Sequence, residues 1–455
     1  MANIAPIRGL RYTAKAGSMS DLVTPPYDVI DEAAQERYYR RHPYNIIRLE
    51  YGKTYPDDSP ENNRYTRAAA DFLAWQKEGI LAREPAPALY RYEQKFTHEG
   101  VLKTRRGLIC GVKLEPYEKG VVLPHEETLP NHKADRLALM RACRANFSPI
   151  FGLFADPEKI VEQCLANDGN RPPDLSFADE NGQQHDLWVI TEQNTIARVQ
   201  QTMAGKRIYI ADGHHRYETA LNYRNERRAR EKAADEKKHL YDYVLMTLVN
   251  LYDPGLVILP THRLIRNVPD LVLEKLLAGI EENFSVERFP LAPGRENLQA
   301  FRKVLRERGE AASCRAPGEP SGQIRHPHVF GLYGGGGALY LLTLKEPSAL
   351  ARVAGDHHSP AWQNLDVAVL HTLILNRLLG IGKEQLAGEG YVTYTREEER
   401  ALAAVDNGEY QLAFFLNPTM VEEVIAVAAA GEKMPQKSTY FYPKLITGLV
   451  INPLE

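Results

Sequence analysis

Five consecutive residues, Asp212-Gly213-His214-His215-Arg216, combine the groups that phosphate chemistry needs. Phosphate oxygens call for donors that converge without obstruction. A glycine lets the backbone come close, a helix starting behind it offers N–H groups and the positive end of its dipole, and an arginine adds a planar fork. His214 and His215 contribute imidazoles, and Asp212 suits Mg²⁺ or the orientation of a hydroxyl, which makes Asp212 and His214 candidates for a catalytic part. The plainer reading is an ordinary Asp-Gly turn with exposed histidines. Five such residues where a strand meets a helix argue against it.

Three further clusters carry weaker signals. Thr261-His262-Arg263 follows an apolar strand and is placed either to reach a phosphate or substrate carboxylate or to serve the fold. Lys437-Ser438-Thr439 with Lys444 has the donors for an anion site, while Tyr440, Phe441 and Tyr442 around it read as packing. Gly334 to Gly337 lies between two apolar strands and lacks a following Lys-Ser/Thr, so a hairpin turn is expected rather than a phosphate cradle. Adjacent His357 and His358 point apart on any regular element, and Asp366 and His371 are five apart, a poor helical pairing. With no His-Glu-x-x-His and no cysteine cluster, a zinc site is not expected.

The elements that must position these residues follow from periodicity. Arg207 to Ala211 reads as a strand that runs into the Asp-Gly-His-His-Arg loop, with a charged helix from about Tyr217 to Lys238. Upstream, a helix is expected over Arg64 to Gly79 and another over Ala134 to Ala145. Strands are expected over Leu89 to Glu93 and Gly107 to Leu114, with a turn at Glu99-Gly100. Downstream of strands at Val244 to Leu251 and Leu256 to Leu259, Pro260 to Pro269 reads as a boundary. Beyond it helices and strands alternate, including a helix over Asp366 to Leu379, which predicts a second α/β domain. The expected division is 1–265 and 266–455. Gly309 to Pro327, rich in Gly, Pro and Ser, reads as a surface loop.

Bulk properties narrow the function classes. A chain of 455 residues is long for one core. It is 44% apolar and 25% charged, the balance of an ordinary globular protein. A formal charge of -3 provides no global basic field, so DNA is not an expected partner. The four cysteines, Cys110, Cys143, Cys164 and Cys314, are scattered and read as reduced thiols. No apolar stretch approaches a membrane span and the first residues do not resemble a signal peptide, so a soluble, cytoplasmic protein is expected.

Gly213-His214-His215-Arg216 resembles the phosphate loop of the ParB–sulfiredoxin superfamily, and Asp212 to Arg216 is similar to the Asp-Gly-His-x-Arg segment of archaeal free-serine kinases. Ala211 to Ala220, Asp253 to Arg263 and Met434 to Lys444 together resemble an uncharacterised bacterial and archaeal family of SpoOJ/ParB-like proteins over nearly the whole chain. The departures are informative. His214 stands where sulfiredoxin has its catalytic cysteine, which excludes sulfinic-acid reduction by that route. Gly-His-His-Arg replaces ParB's Gly-Glu-Arg-Arg, and no helix-turn-helix follows. The resemblance implies an α/β, ParB/sulfiredoxin-like nucleotide-binding domain followed by the second α/β domain.

The kinase resemblance also implies a glutamate upstream of the loop as base. Glu126 or Glu127, beside His125, is the candidate, against a solvated acidic turn between Pro124 and Pro130. Lys133, Asp135 and Arg136 either extend the site or begin the next helix. Arg263, Lys133 or Arg136 would hold the carboxylate of an amino-acid substrate, and Glu127 its amine. The function so implied is a small-molecule kinase that phosphorylates free serine with Mg²⁺ and either ATP or ADP, CTP being a third candidate. The alternatives are a ParB-like nucleotide switch and a metal-dependent phosphohydrolase built on Asp212, His214 and His215.

Overall fold

In the computed structural model, residues 2–128, 130–166, 171–231, 239–310, 327–354, 357–388 and 390–455 are described. The chain is of mixed α/β class and divides into two compact units. The first comprises Met1–Pro124, Thr128–Val257 and Phe441–Glu455; the second comprises His125–Glu127 and Ile258–Tyr440. A single cut between 265 and 266 is therefore replaced by a change at 257/258 and a return of the chain. The reason lies at the C-terminus, where Asn452–Pro453 pairs antiparallel with Ala145–Asn146 and buries Ile451 and Leu454 in the first unit.

In the first unit the described residues form a nine-stranded mixed sheet. Its order is Val122–Leu123, Ile208–Asp212, Ile150–Phe154, Tyr243–Asn250, Val101–Lys113, Leu89–His98, Gln184–Ile190 and Leu175–Ala178, with Ile4–Ala5 also pairing on Val101–Lys113. Leu108, Cys110, Val112, Ile150, Met246 and Leu248 form one core with Ile196, Val199 and Met203 of helix Gln193–Met203 and Tyr217, Ala220 and Tyr223 of helix His214–Glu231. Alternation along the strands and a three-to-four spacing along the helices put these residues on facing surfaces. The strands expected at 89–93 and 107–114 are the longer arms of a hairpin that turns at Glu99-Gly100. Cys110, Cys143 and Cys164 are buried thiols. The end of the charged helix at 232–238, residues 311–326 of the Gly/Pro/Ser-rich stretch and Cys314 lie outside the described residues.

In the second unit the described residues form a six-stranded antiparallel sheet. Its order is Phe284–Pro290, Ala338–Leu344, Val329–Tyr333, Leu412–Phe415, His262–Ile265 and Val392–Thr395. Gly334 to Gly337 make its hairpin turn, as the spacing predicts. Leu264, Leu339, Leu341 and Phe415 pack with Phe301, Leu305 and Leu402 on one face. Ile265, Leu332, Leu342 and Phe414 pack with Leu276, Leu370, Leu373 and Val424 on the other. The helix expected over 366–379 is α-helical only at Asp366–Val369 and continues as a π-helix over Leu370–Asn376.

Candidate functional site

Strand Ile208–Asp212 runs antiparallel to Ile150–Phe154, but the register slips between Ile210 and Asp212. Such a bulge re-aims the end of a strand. Gly213 follows with φ 97, and helix His214–Glu231 begins at once, Tyr217 N donating to Gly213 O at 3.0 Å. The expected five-residue loop is thus a one-residue corner, and the helix starts three residues before the expected Tyr217. Left-handed backbone at Gly213 turns the chain in a single step. His214, His215 and Arg216 form the first helical turn, where backbone N–H groups point out of the helix end.

Arg216 folds back on this corner. Its Nη1 donates to Pro149 O at 2.5 Å, and its Nη2 lies 3.7 Å from Asp212 Oδ2. A Cβ on Gly213 would come within 2.9 Å of Arg216 Nε, so the position requires glycine both for its φ and for this approach. Arg216 is therefore a buried brace rather than the outward fork that its type suggests. A second cation completes the corner: Lys444 Nζ donates to Asp212 Oδ2 at 3.1 Å. Burial pushes the Asp212 carboxyl upward, but Lys444, Arg216 and His214 outweigh it and hold it well below the usual carboxylate range. Two cations flanking an ionised carboxylate at a helix N-terminus make a corner suited to an anion.

The placement of Lys444 depends on two residues that sequence reasoning missed. Arg105, 1% exposed, donates to Pro443 O at 2.7 Å and to Tyr442 O at 3.3 Å. Its Nη2 also donates to Gln94 Oε1 at 2.5 Å, and Gln94 Nε2 in turn donates to Lys444 O at 3.4 Å. Three successive carbonyls, 442 to 444, are thus held by one pair of side chains from neighbouring strands. Burial lowers Arg105 to about 10. Of the Asp253-Pro254-Gly255 motif, the aspartate accepts from Gly255 N at 2.7 Å and Arg106 N at 3.2 Å, and a Cβ on Gly255 would strike Thr104 O at 2.3 Å. That motif locks the strand carrying Arg105.

Lys133 and Arg136 are committed elsewhere in the first unit. Lys133 Nζ donates to Glu218 Oε2 at 2.9 Å, beside Thr128 Oγ1 at 2.6 Å from the same oxygen. Arg136 is 6% exposed, pairs with Asp135, donates to Glu50 O at 2.7 Å and lies 4.0 Å from the centre of the Tyr27 ring. It braces the buried Glu50, whose Oε1 accepts from Ser148 Oγ at 2.8 Å. Burial raises Glu50, opposed by Arg136, Ser148 and Arg216. In this structure Arg136 serves the fold through these bonds to protein oxygens.

The second unit holds the remaining candidates. Segment His125–Glu127 bridges to Met434, with Met434 N donating to His125 O at 2.8 Å. His125 Nε2 and Thr439 Oγ1 are 3.0 Å apart, and Lys437 N donates to Glu126 Oε1 at 3.3 Å. Glu127 and Lys437 are exposed. Ser438 Oγ donates to Pro435 O at 2.5 Å and so closes a turn. His262, 1% exposed, accepts from Leu416 N through Nδ1 at 3.3 Å and lies edge-on to Phe415, so it packs within the sheet. Thr261 and Arg263 are joined, Arg263 Nη1 donating to Thr261 O.

Among the described residues, no group of three His, Cys, Asp or Glu side chains could hold a metal ion. No helix among them is long and apolar enough to cross a membrane.

The family described as proteins of unknown function, DUF1015, matches residues 4–368, and the chain belongs to it. None of the curated proteins matches the chain. Among solved structures it is similar to a conserved hypothetical protein from Pyrococcus furiosus, at 11% identity and a TM-score of 0.32 over 76% of this chain and 95% of that one. It is similar to a free serine kinase in complex with AMP, at 12% identity and a TM-score of 0.32 over 75% and 92% of the two chains. A third is SbnI with a C-terminal truncation from Staphylococcus aureus, at 13% identity and a TM-score of 0.32 over 75% and 87%.

Proposed function

We propose that this DUF1015 protein transfers a phosphoryl group from a nucleotide to a small hydroxylated metabolite, with free serine as the first candidate. The observation that carries the reading is the convergence of Lys444 and Arg216 on Asp212 at the start of helix His214–Glu231. The first unit is read with it as a ParB/sulfiredoxin-like phosphate-binding domain, on the resemblance of Gly213-His214-His215-Arg216.

In this reading Gly213 lets the nucleotide phosphates approach the backbone, and the first helical turn donates to them. Lys444 turns its ammonium to a phosphate oxygen and lowers the charge that builds in transfer, while Arg216 holds the corner rigid beneath it. Mg²⁺ fits only in the company of phosphates, since the described residues hold no group of three metal-binding side chains; Asp212 would hold the ion, which would neutralise charge on the transferring group. The metabolite hydroxyl attacks the terminal phosphorus, the bond to the bridging oxygen breaks, and the nucleotide leaves one phosphate shorter. The hydroxyl proton needs a base, and Glu126 or Glu127 is proposed for that part on the kinase resemblance alone.

A screen of ATP, ADP and CTP by titration calorimetry, followed by turnover with and without serine, tests the reading. Nucleotide consumption that depends on the metabolite is expected. Nucleotide binding with no dependence on any hydroxylated metabolite would instead make the protein a nucleotide switch.

A further inference from the structure

Arg263 stands opposite Tyr394 in the antiparallel pair of His262–Ile265 with Val392–Thr395. Residues two apart share a face of a strand, so Arg263 shares the face of Ile265, which packs with Leu370 and Leu373. The π-helical run Leu370–Asn376 covers that face and carries His371. A π-helix is rare and often marks a functional position.

Arg263 is 1% exposed, and its guanidinium lies 5.5 Å from the centre of the Tyr394 ring. Its bonded partners are two neutral carbonyls, Thr261 O and Lys437 O, the second at 3.2 Å. Among the described residues no carboxylate lies within ion-pair distance of it. Arg263 Nε, the Tyr394 hydroxyl and His371 Nε2 are all buried, and none has a hydrogen-bond partner among the described residues. Arginines are almost never fully buried without a counter-charge, and unsatisfied buried polar groups are few in native proteins. Arg105 differs in its counter-groups: it too is fully buried, has two carbonyls and leaves its Nε without a hydrogen-bond partner, but it adds the Gln94 amide oxygen, with Asp253 close enough to support its charge. Burial and the nearby Arg263 charge keep His371 neutral, so it offers a donor without adding a second cation.

We propose that Arg263, Tyr394 and His371 form a receptor for one small oxyanion, a metabolite carboxylate or a phosphate. The arginine supplies the charge, and the hydroxyl and imidazole fix the orientation. The receptor is independent of the phosphotransfer reading, because it is built within the second unit and needs no nucleotide.

The test is titration calorimetry on the full chain with two probes, glycine for the carboxylate and inorganic phosphate for the other source. Glycine has no hydroxyl to phosphorylate, so its binding does not depend on any kinase activity. One of the two probes should bind the wild type, and Tyr394→Phe and His371→Asn should each weaken it about tenfold with melting temperatures unchanged. Arg263→Lys, which keeps the charge but not the fork, should weaken it further. Affinity equal in wild type, Tyr394→Phe and His371→Asn would overturn the proposal. So would phosphate binding lost only in Lys444→Met, which would belong to the first unit, or no binding of either probe at millimolar concentration.

Discussion

Lys444 reaches back across 232 positions of sequence to place its ammonium 3.1 Å from the Asp212 carboxylate. The pair joins two motifs that lie far apart in sequence, the Asp-Gly-His-His-Arg junction and the Met434–Lys444 segment. It commits the Lys444 side chain to the corner at Gly213.

If this corner receives nucleotide phosphates, Lys444→Met removes a charge-assisted contact of about 1.5–3 kcal/mol. Nucleotide affinity should fall by roughly tenfold to a hundredfold, with the far-UV circular dichroism unchanged. Asp212→Asn should also depress turnover, since it loses the anchor that aims Lys444. Wild-type affinity and turnover in both variants would remove the site from this corner.

Gln94 and Arg105 act on Lys444 only through the backbone, which they hold at carbonyls 442 to 444. Gln94→Leu and Arg105→Lys should therefore lower nucleotide affinity in the wild-type background and have little further effect once Lys444 is already Met. A double-mutant cycle measures that coupling. Purely additive losses would show that the two residues serve stability alone.

Glu126→Gln and Glu127→Gln separate the base from the phosphate grip. Loss of a base appears in kcat, by roughly 10²–10⁴-fold, with nucleotide affinity retained. Steady-state kinetics with serine as acceptor will assign one of the two, and unchanged kcat in both would place the base on another residue.

Glu423, partly buried, is pushed up to about 8, by burial first and by the neighbouring Asp366 next. Its folded-state value exceeds the unfolded one, so the folded protein holds the extra proton between them. The stability this contributes is full below about pH 4.5 and is lost as pH rises to about 8. Its carboxylate also accepts from Met420 N at 2.7 Å, a bond that glutamine can keep. Glu423→Gln should then gain about 1–2 kcal/mol at pH 8 relative to wild type, allowing for its partial exposure. Melting curves from pH 5 to pH 8.5 check this; parallel profiles for the two proteins would contradict it.

The sequence makes the corner itself legible, because an apolar run ending in Asp-Gly before a charged helical pattern has few other readings. It does not show that the helix takes in His214 to Arg216, since one glycine at φ 97 replaces a longer loop. Strand Ile150–Phe154 escapes notice because it is buried on both faces and lacks alternation. Strand Gln184–Ile190 escapes for the opposite reason: it buries His185 and Asp186, which read as surface residues. Arg105 and Gln94 look like the polar side of a hairpin, and only the returning C-terminal segment turns that side into an interior. The two-residue pairing that anchors this return, Asn452–Pro453 on Ala145–Asn146, is too short for periodicity to reveal.

Phosphorus NMR of the intact protein with Mg²⁺, serine and either ATP or ADP reads out phosphoryl transfer at the Asp212–Lys444 corner itself. An O-phosphoserine resonance should grow as the donor's terminal phosphate signal declines, and Lys444→Met should slow both together. A donor signal that declines into inorganic phosphate alone, at a rate indifferent to serine and to Lys444→Met, would contradict it.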